Sequence, residues 1–367
     1  MKNPLPDSTY IKRTVEKDAP IRGHYFRDQT AIIHSMPFRR LKHKTQVFLA
    51  PQNDHVCTRI EHVMHVATIA KSICLGLNGF GWNLDADLAF AIGLGHDLGH
   101  APFGHEGEHF LNSRLGGGNA FIHEINSYRI VEHLANNGKG LNLTYAVKDG
   151  IISHNGESFE QYLQPSDIEK DFEKIVDRKI KPASYEGCIV RFSDKIAYLG
   201  RDIEDAITAD FIIRNDIPER VRKQIGDSNS QIIDKLVNDI IFQSKSSDKI
   251  GFSDDIFEVL KILRDFNYNS IYRNAKKERN LIIVGKIIYA LFDYLLVLFE
   301  KYGRDYNIYE RQTIKMERSF GQYIQSLHEF YLNETNPEVI VTDYISGMTD
   351  SYALDCMSQI SFPTSYF

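Results

Sequence analysis

Between Gly95 and Glu108 the chain reads GHDLGHAPFGHEGE: three histidines, one aspartate and two glutamates, spaced by four glycines and a proline. A packed apolar core has no use for that mixture. His96-Asp97 offers an imidazole and a carboxylate to one cation, which suits a borderline or hard divalent metal. The glycines let the backbone turn sharply and approach a ligand closely. His100, His105 and Glu108 remain for proton transfer and anion binding. Two further segments can join them: Arg59-Ile60-Glu61-His62, and the run from Asp194 to Asp205. Two imidazoles and two carboxylates leave positions open for water and a phosphate oxygen, as a reactive rather than a closed structural site does. Singly, each piece has an ordinary reading. His62 is also a structural histidine on an amphipathic helix, His96-Asp97 a pair near a helix end, and Asp194 a cap or surface carboxylate. The order R-x-x-H, then H-D, then D-K-x-x-Y-x-x-x-D is harder to obtain by chance.

Helices must carry these groups. Arg59–Leu77 repeats apolar residues at i, i+3, i+4 and i+7, and the segment 85–97 starts acidic and ends in the His-Asp pair. Further helices are expected at 31–47 (interrupted by Pro37), 124–134, 185–206, 218–243, 254–266, 280–302 and 311–332. Convincing strand alternation is hard to find, and 116–120 and 244–255 read as loops. The predicted class is all-α: a catalytic core over residues 1–210 and a helical C-terminal region over 211–367 packing on it.

Composition narrows the partners. A chain of 367 residues with 43% hydrophobic and 25% charged residues has ample length for a buried core. A net charge of -6 argues against nucleic acid as the primary partner and asks that any polyanion site be locally positive. Cys57, Cys74, Cys188 and Cys356 form no C-x-x-C pair and read as free thiols in a reducing compartment. MKNPLPDSTYIKR has no apolar signal region. Lys286 and Asp293 interrupt the most apolar run, 281–299, so a core helix is expected there rather than a membrane span. The expected location is cytoplasmic.

On Phe38-Arg39-Arg40-Leu41 with Lys44-Thr45-Gln46-Val47, Arg59…His62, the GHDLGH-x-PFGH-x-GE loop, His123 and Asp194…Asp205, the chain resembles the HD-domain superfamily. Within it, the resemblance is to the deoxyguanosine triphosphate triphosphohydrolases and related dNTP triphosphohydrolases. That resemblance implies an HD-type helical core and His62, His96, Asp97 and Asp194 as ligands of Mn²⁺ or Mg²⁺, with Fe, Co or Ni also suited to the donor set. It implies attack of water on the α-phosphorus, with His105 closest to the chemistry and Glu108 beside it. Arg59, His100, His123 and Lys195 would meet the phosphates, and Gln46, Tyr198 and Asp202 the deoxyribose. Tyr272 is a looser candidate for stacking on the base. Asp194, Tyr198 and Asp202, at i, i+4 and i+8, share one helical stripe. The sequence departs from the family pattern at Glu61, Val63, Ala101 and around His123, without touching an implied ligand. A homo-oligomer and an activating dNTP effector are further implications. The rival readings are another HD-type nucleotide phosphohydrolase, acting on nucleoside monophosphates or signalling nucleotides, and a non-catalytic dNTP sensor.

Overall fold

Three helices carry the cluster, and each starts where its sequence caps it. In the computed structural model, which describes residues 1–18, 21–47, 57–156 and 158–362 apart from the side chains of Lys276 and Lys277, helix Arg59–Asn78 follows Thr58. There the Glu61 carboxylate accepts from the Thr58 N–H at 2.7 Å and from its hydroxyl at 3.0 Å, half of a capping box. Glu61, a departure from the family pattern, is thus a cap. Helix Ala86–Gly95 follows Asp85, whose carboxylate accepts from the N–H groups of Asp87 and Leu88. Helix Tyr185–Thr208 follows Ser184, whose hydroxyl accepts from the Gly187 N–H at 3.0 Å.

These three helices pack against one another. Where the first two cross, a Cβ on Gly93 would lie 2.6 Å from the Ala67 Cα, so only glycine permits the approach. Val63, Ile73, Leu77, Ile92, Ile189 and Ile196 are fully buried around this crossing, each contributing about 1.5–3 kcal/mol. The all-α expectation holds. Among the described residues strand is confined to two short segments, Tyr162–Leu163 and Ile250–Gly251, paired antiparallel. Two helices, Arg59–Asn78 and Glu278–Tyr302, are long and apolar enough to cross a membrane by length and composition, and about half of each window is buried inside the molecule (50% and 44%).

Several boundaries differ from the periodicity. The segment 218–243 is two helices, Glu219–Gln224 and Asn229–Ser244, because Gly226 sits at φ +99° and breaks the run. The segment 31–47 divides at Ser35, which caps a new helix, Met36–Arg40, with Pro37 in its first turn. Helices Gly104–Arg114, Tyr145–Ile152, Pro337–Ser346 and Asp350–Ser361 are additional. The last two carried readable starts, Asn336-Pro337 and Thr349.

One core gathers residues from Tyr10 to Ile271, so residues 212–271 pack with the three site helices. A second gathers Phe103, Leu111 and Phe121 with residues 284–356. Polar clips join the two. Arg129 grips Asp343 through two hydrogen bonds of 2.7 and 2.6 Å. Lys44 donates to the carbonyls of His100 and Ser346. The carboxylate of Asp350, only 2% exposed, accepts from the Thr45 N–H with one oxygen and the Phe103 N–H with the other, both at 2.8 Å. Phe103 has a left-handed backbone (φ 66°) and caps the Gly104–Arg114 helix.

Asp350→Ala therefore leaves two N–H groups without acceptors, at about 1–3 kcal/mol each where they are buried. Denaturant unfolding should show a loss of about 2–4 kcal/mol, and Asp350→Asn, which keeps one acceptor oxygen, a smaller loss. An unchanged midpoint for the alanine variant contradicts the clip.

Candidate active site

His96 and Asp97 follow the C-terminus of the Ala86–Gly95 helix, His62 lies one turn into the Arg59–Asn78 helix, and Asp194 lies in the middle of Tyr185–Thr208. Their polar atoms converge. His62 Nε2 is 3.0 Å from Asp194 Oδ1 and 3.8 Å from Asp97 Oδ2. His96 Nε2 is 3.5 Å from Asp97 Oδ1 and 3.9 Å from Asp194 Oδ1. The Asp194 carboxylate sits so close to Gly156 that a Cβ there would lie 1.7 Å from Oδ2, so residue 156 must be glycine for Asp194 to keep its place.

The charge states suit a cation. His96 Nδ1 lies 2.8 Å from the Gly93 carbonyl. A carbonyl only accepts, so Nδ1 carries the hydrogen and Nε2 the lone pair. Burial lowers the His96 pKa and keeps the ring neutral. Its Nε2 has no hydrogen-bond partner among the described residues. Burial opposes ionisation of Asp194, but the hydrogen bond and charge of His62 outweigh it and hold the carboxyl down at about 2. Asp97 is likewise buried, yet His96, Arg59, His100 and His62 hold it well below the usual carboxylate range. An orphaned imidazole lone pair facing two carboxylates fits a divalent metal, and His62, His96 and Asp194 already lie within one ligand-sized space.

The cluster opens into a cavity of about 960 Å³. His62, Asp97 and Asp194 are among the residues that line it. His100, His105 and His123 line it too, as do Gln46, Tyr198, Asp202 and Tyr272. The structure thus brings most of the expected residues to one space. Tyr272 donates its hydroxyl to Asp202, and burial beside that carboxylate raises the Tyr272 pKa well above the ordinary tyrosine value, keeping it a donor.

Other placements differ from expectation. The Arg59 guanidinium is committed to Asp97 and also donates to the Thr45 carbonyl at 3.2 Å. Lys195 does not line the cavity. Its ammonium lies over the rings of Phe159 and Phe192, 5.7 and 5.3 Å from their centroids, and burial, with Arg191 nearby, pushes its pKa down to about 7. Glu108 Oε2 is 3.6 Å from His105 Nδ1 but 2.8 Å from His123 Nδ1, and Arg178 donates to Glu108 at 2.6 Å. Burial opposes the charge on both His123 and Glu108. The pair overcomes it, raising His123 to about 10 and holding Glu108 well below the ordinary carboxylate value. His100 stacks on His123 at 3.8 Å, and burial next to Arg59 drives its pKa well down.

The sequence reading missed four contributors. His154 is buried with its Nε2 3.2 Å from that of His123. Arg178 bridges Glu108 and Glu124. Arg264 and Tyr268 line the cavity two turns and one turn before Tyr272. Only the last pair had a signal, the spacing of four that places Arg264, Tyr268 and Tyr272 on one helical stripe.

Comparison with known proteins identifies the family. Residues 59–199 match the model of the HD domain, and residues 250–359 that of the phosphohydrolase-associated domain. The deoxyguanosinetriphosphate triphosphohydrolase-like protein of Caldanaerobacter subterraneus subsp. tengcongensis is 37% identical over 96% of this chain and 89% of its own length. Similarly named proteins of Clostridium tetani (37% over 95% and 88%) and Desulfatibacillum aliphaticivorans (34% over 96% and 92%) are also similar. With these relatives matching nearly end to end, the chain belongs to the deoxyguanosinetriphosphate triphosphohydrolase-like family of HD-domain phosphohydrolases.

Proposed function

We propose that the protein hydrolyses deoxynucleoside triphosphates, dGTP or a wider set, to deoxynucleoside and inorganic triphosphate. The observation that carries this is one cavity lined by Tyr198, Asp202 and Tyr272 and by three members, His62, Asp97 and Asp194, of the His62, His96, Asp97 and Asp194 cluster. Those four residues would hold Mn²⁺ or Mg²⁺, Fe, Co and Ni also being suited. When bound, such a cation neutralises phosphate oxygens and lowers the pKa of water.

The chain's own groups supply the rest. His105 faces the cavity with its side chain half exposed, on the same helical face as Glu108, and is assigned proton transfer. His100, His123 and the part of Arg59 on the cavity surface provide donors for the phosphates, joined at the rim by Arg264. Lys195, over its two phenyl rings, would act through the field of its charge rather than by contact. Tyr198 is assigned to pack where a 2′-hydroxyl would stand. Asp202, aimed by the Tyr272 hydroxyl, would accept from the 3′-hydroxyl with Gln46 nearby, leaving Tyr272 to border the base. Residues 1–210 would form the catalytic core and 211–367 the helical region that completes the cavity wall.

Two surface features support the expected partners. A second cavity of about 770 Å³ is lined by Lys17, Arg27, Arg40 and Lys139, a chemistry suited to an effector nucleotide. Leu281, Ile282, Ile283 and Val297 are exposed on one long helix, as a homo-oligomer contact would require.

The test is a product assay with Mn²⁺ or Mg²⁺ and the four dNTPs, singly and mixed. Deoxynucleoside plus intact triphosphate is expected, and turnover only in the mixture reports an effector. Orthophosphate or pyrophosphate release favours the rival hydrolase, and binding without turnover the sensor. His105→Ala should lower kcat by about 10²-fold or more while sparing nucleotide binding; near-normal turnover removes the assignment. Tyr198→Ala should narrow the ratio of dGTP to GTP hydrolysis, and an unchanged ratio rules out a steric gate there.

A further inference from the structure

More nitrogens surround Glu108 than its two oxygens can serve equally. Oε1 accepts from the His123 backbone N–H at 3.1 Å and from Arg178 Nη2 at 2.6 Å. Oε2 faces three imidazole nitrogens, His123 Nδ1 at 2.8 Å, His105 Nδ1 at 3.6 Å and His100 Nδ1 at 4.0 Å. Two donors from separate segments on one oxygen fix the plane of the carboxylate, so the aim of Oε2 follows from the grip on Oε1. The guanidinium bond is the shortest of these contacts, and a charge-assisted bond is about twice as strong as a neutral one.

Arg178 can hold that oxygen because it is itself held. It lies in a stretch, 175–184, with neither helix nor strand. The Asn155 side chain nevertheless donates to the Arg178 carbonyl at 3.1 Å, and Arg191 to the Ile180 carbonyl at 3.1 Å. Asn155 precedes Gly156, the residue packed against Asp194. Arg178 Nε donates to Glu124 Oε2 at 3.0 Å. Separate nitrogens of one fork thus take two buried carboxylates that face the same His123 Nδ1, at 3.4 Å (Glu124) and 2.8 Å (Glu108). Burial opposes ionisation of Glu124, and the charges of His123, His154 and Arg178 outweigh it, lowering the carboxyl pKa.

We propose that Arg178 is the positioning residue for His105: by fixing Glu108 Oε1, it turns Oε2 to a point that His105 Nδ1 can reach as well as His123. His105 then carries its hydrogen on Nδ1, toward the carboxylate, and keeps the Nε2 lone pair for proton transfer. At 3.6 Å the two stand just outside hydrogen-bond range, so His105 closes onto an acceptor already set in place. Arg178 is not among the described residues that line the cavity, and it acts from behind, through Glu108. Without it the carboxylate loses its charged donor on Oε1 and is drawn to His123 with both oxygens. The proposal rests on the assignment of proton transfer to His105 and names the residue that prepares its partner.

The test pairs turnover with a reading that needs none. Full-length wild type, Arg178→Gln and Arg178→Lys are compared by thermal melt, and the lysine variant carries the comparison if the glutamine one melts early. Histidine side-chain ¹H–¹⁵N correlation spectra in Mg²⁺ at alkaline pH then report which His105 nitrogen bears the hydrogen, with His105→Ala supplying the assignment. Wild type should show Nδ1–H, and Arg178→Gln a shift toward Nε2–H, the form that an unrestrained imidazole favours. The same His105 signals in both overturn the proposal, whether or not dNTPs are turned over. In the product assay Arg178→Gln should lower kcat about 10-fold or more with KM within about twofold. Arg178→Lys, which keeps the charge but not the fork, should fall between. In a His105→Ala background Arg178→Gln should cost nothing further. An unchanged kcat, or a loss that adds in full to that of His105→Ala, also overturns the proposal. No dNTP turnover by the wild type removes the proposed reaction instead, and the His105 signals then decide the role of Arg178 alone.

Discussion

Everything in this molecule depends on burying two carboxylates, Asp97 and Asp194, within reach of the same imidazoles. Each loses most of its hydration, and a buried charge is costly unless it is paired and hydrogen-bonded. The compensation comes from separate elements: Arg59 and His62 from one helix, His96 and His100 from the turn after a second. None of these groups is adjacent to Asp194 in sequence. The close crossing at Gly93 and the glycine at 156 are therefore electrostatic requirements as much as packing ones. A side chain at either position would push apart the charges that make burial tolerable.

A second layer of charge sits behind the first. Glu108 accepts from the His123 ring and backbone and from Arg178, while Glu124 meets Arg178 from the other side. The histidine with the shortest contact to Glu108 is His123, the buried one, and not the half-exposed His105. This divides two jobs that look interchangeable in sequence. His123 is buried and held in its charged form by Glu108, whereas the His105 side chain is half exposed at the cavity.

How much of this was legible follows from where each signal lies. The convergence of His62, His96, Asp97 and Asp194 was readable because R-x-x-H, H-D and the Asp194 helix are local patterns whose order survives folding. Tyr198 and Asp202 were readable because steps of four keep residues on the face of Asp194. The same helical geometry places Lys195 elsewhere than the sequence suggested. One step along a helix turns a side chain by about 100°, which carries it away from the cavity and onto Phe159 and Phe192. His154 and Arg178 come from segments with no periodicity, and only tertiary folding brings them to His123 and Glu108. The Gly104–Arg114 helix was hidden because GHEGEHFLNSR is rich in glycine and polar residues. Its start is set by Phe103 and by Asp350, 247 residues further along the chain.

That last contact bears on how the protein is made. The loop with the most obvious chemistry is complete within the first third of the chain, yet the acceptor that fixes its backbone is translated close to the end. During synthesis the histidines and carboxylates emerge early, while the turn that presents His105 stays without its anchor until Asp350 follows. A chain that stops before Asp350 lacks the acceptor for the Phe103 and Thr45 N–H groups beside that loop. Timing is in this sense built into the fold, since the order of translation leaves this turn unanchored until Asp350 is present.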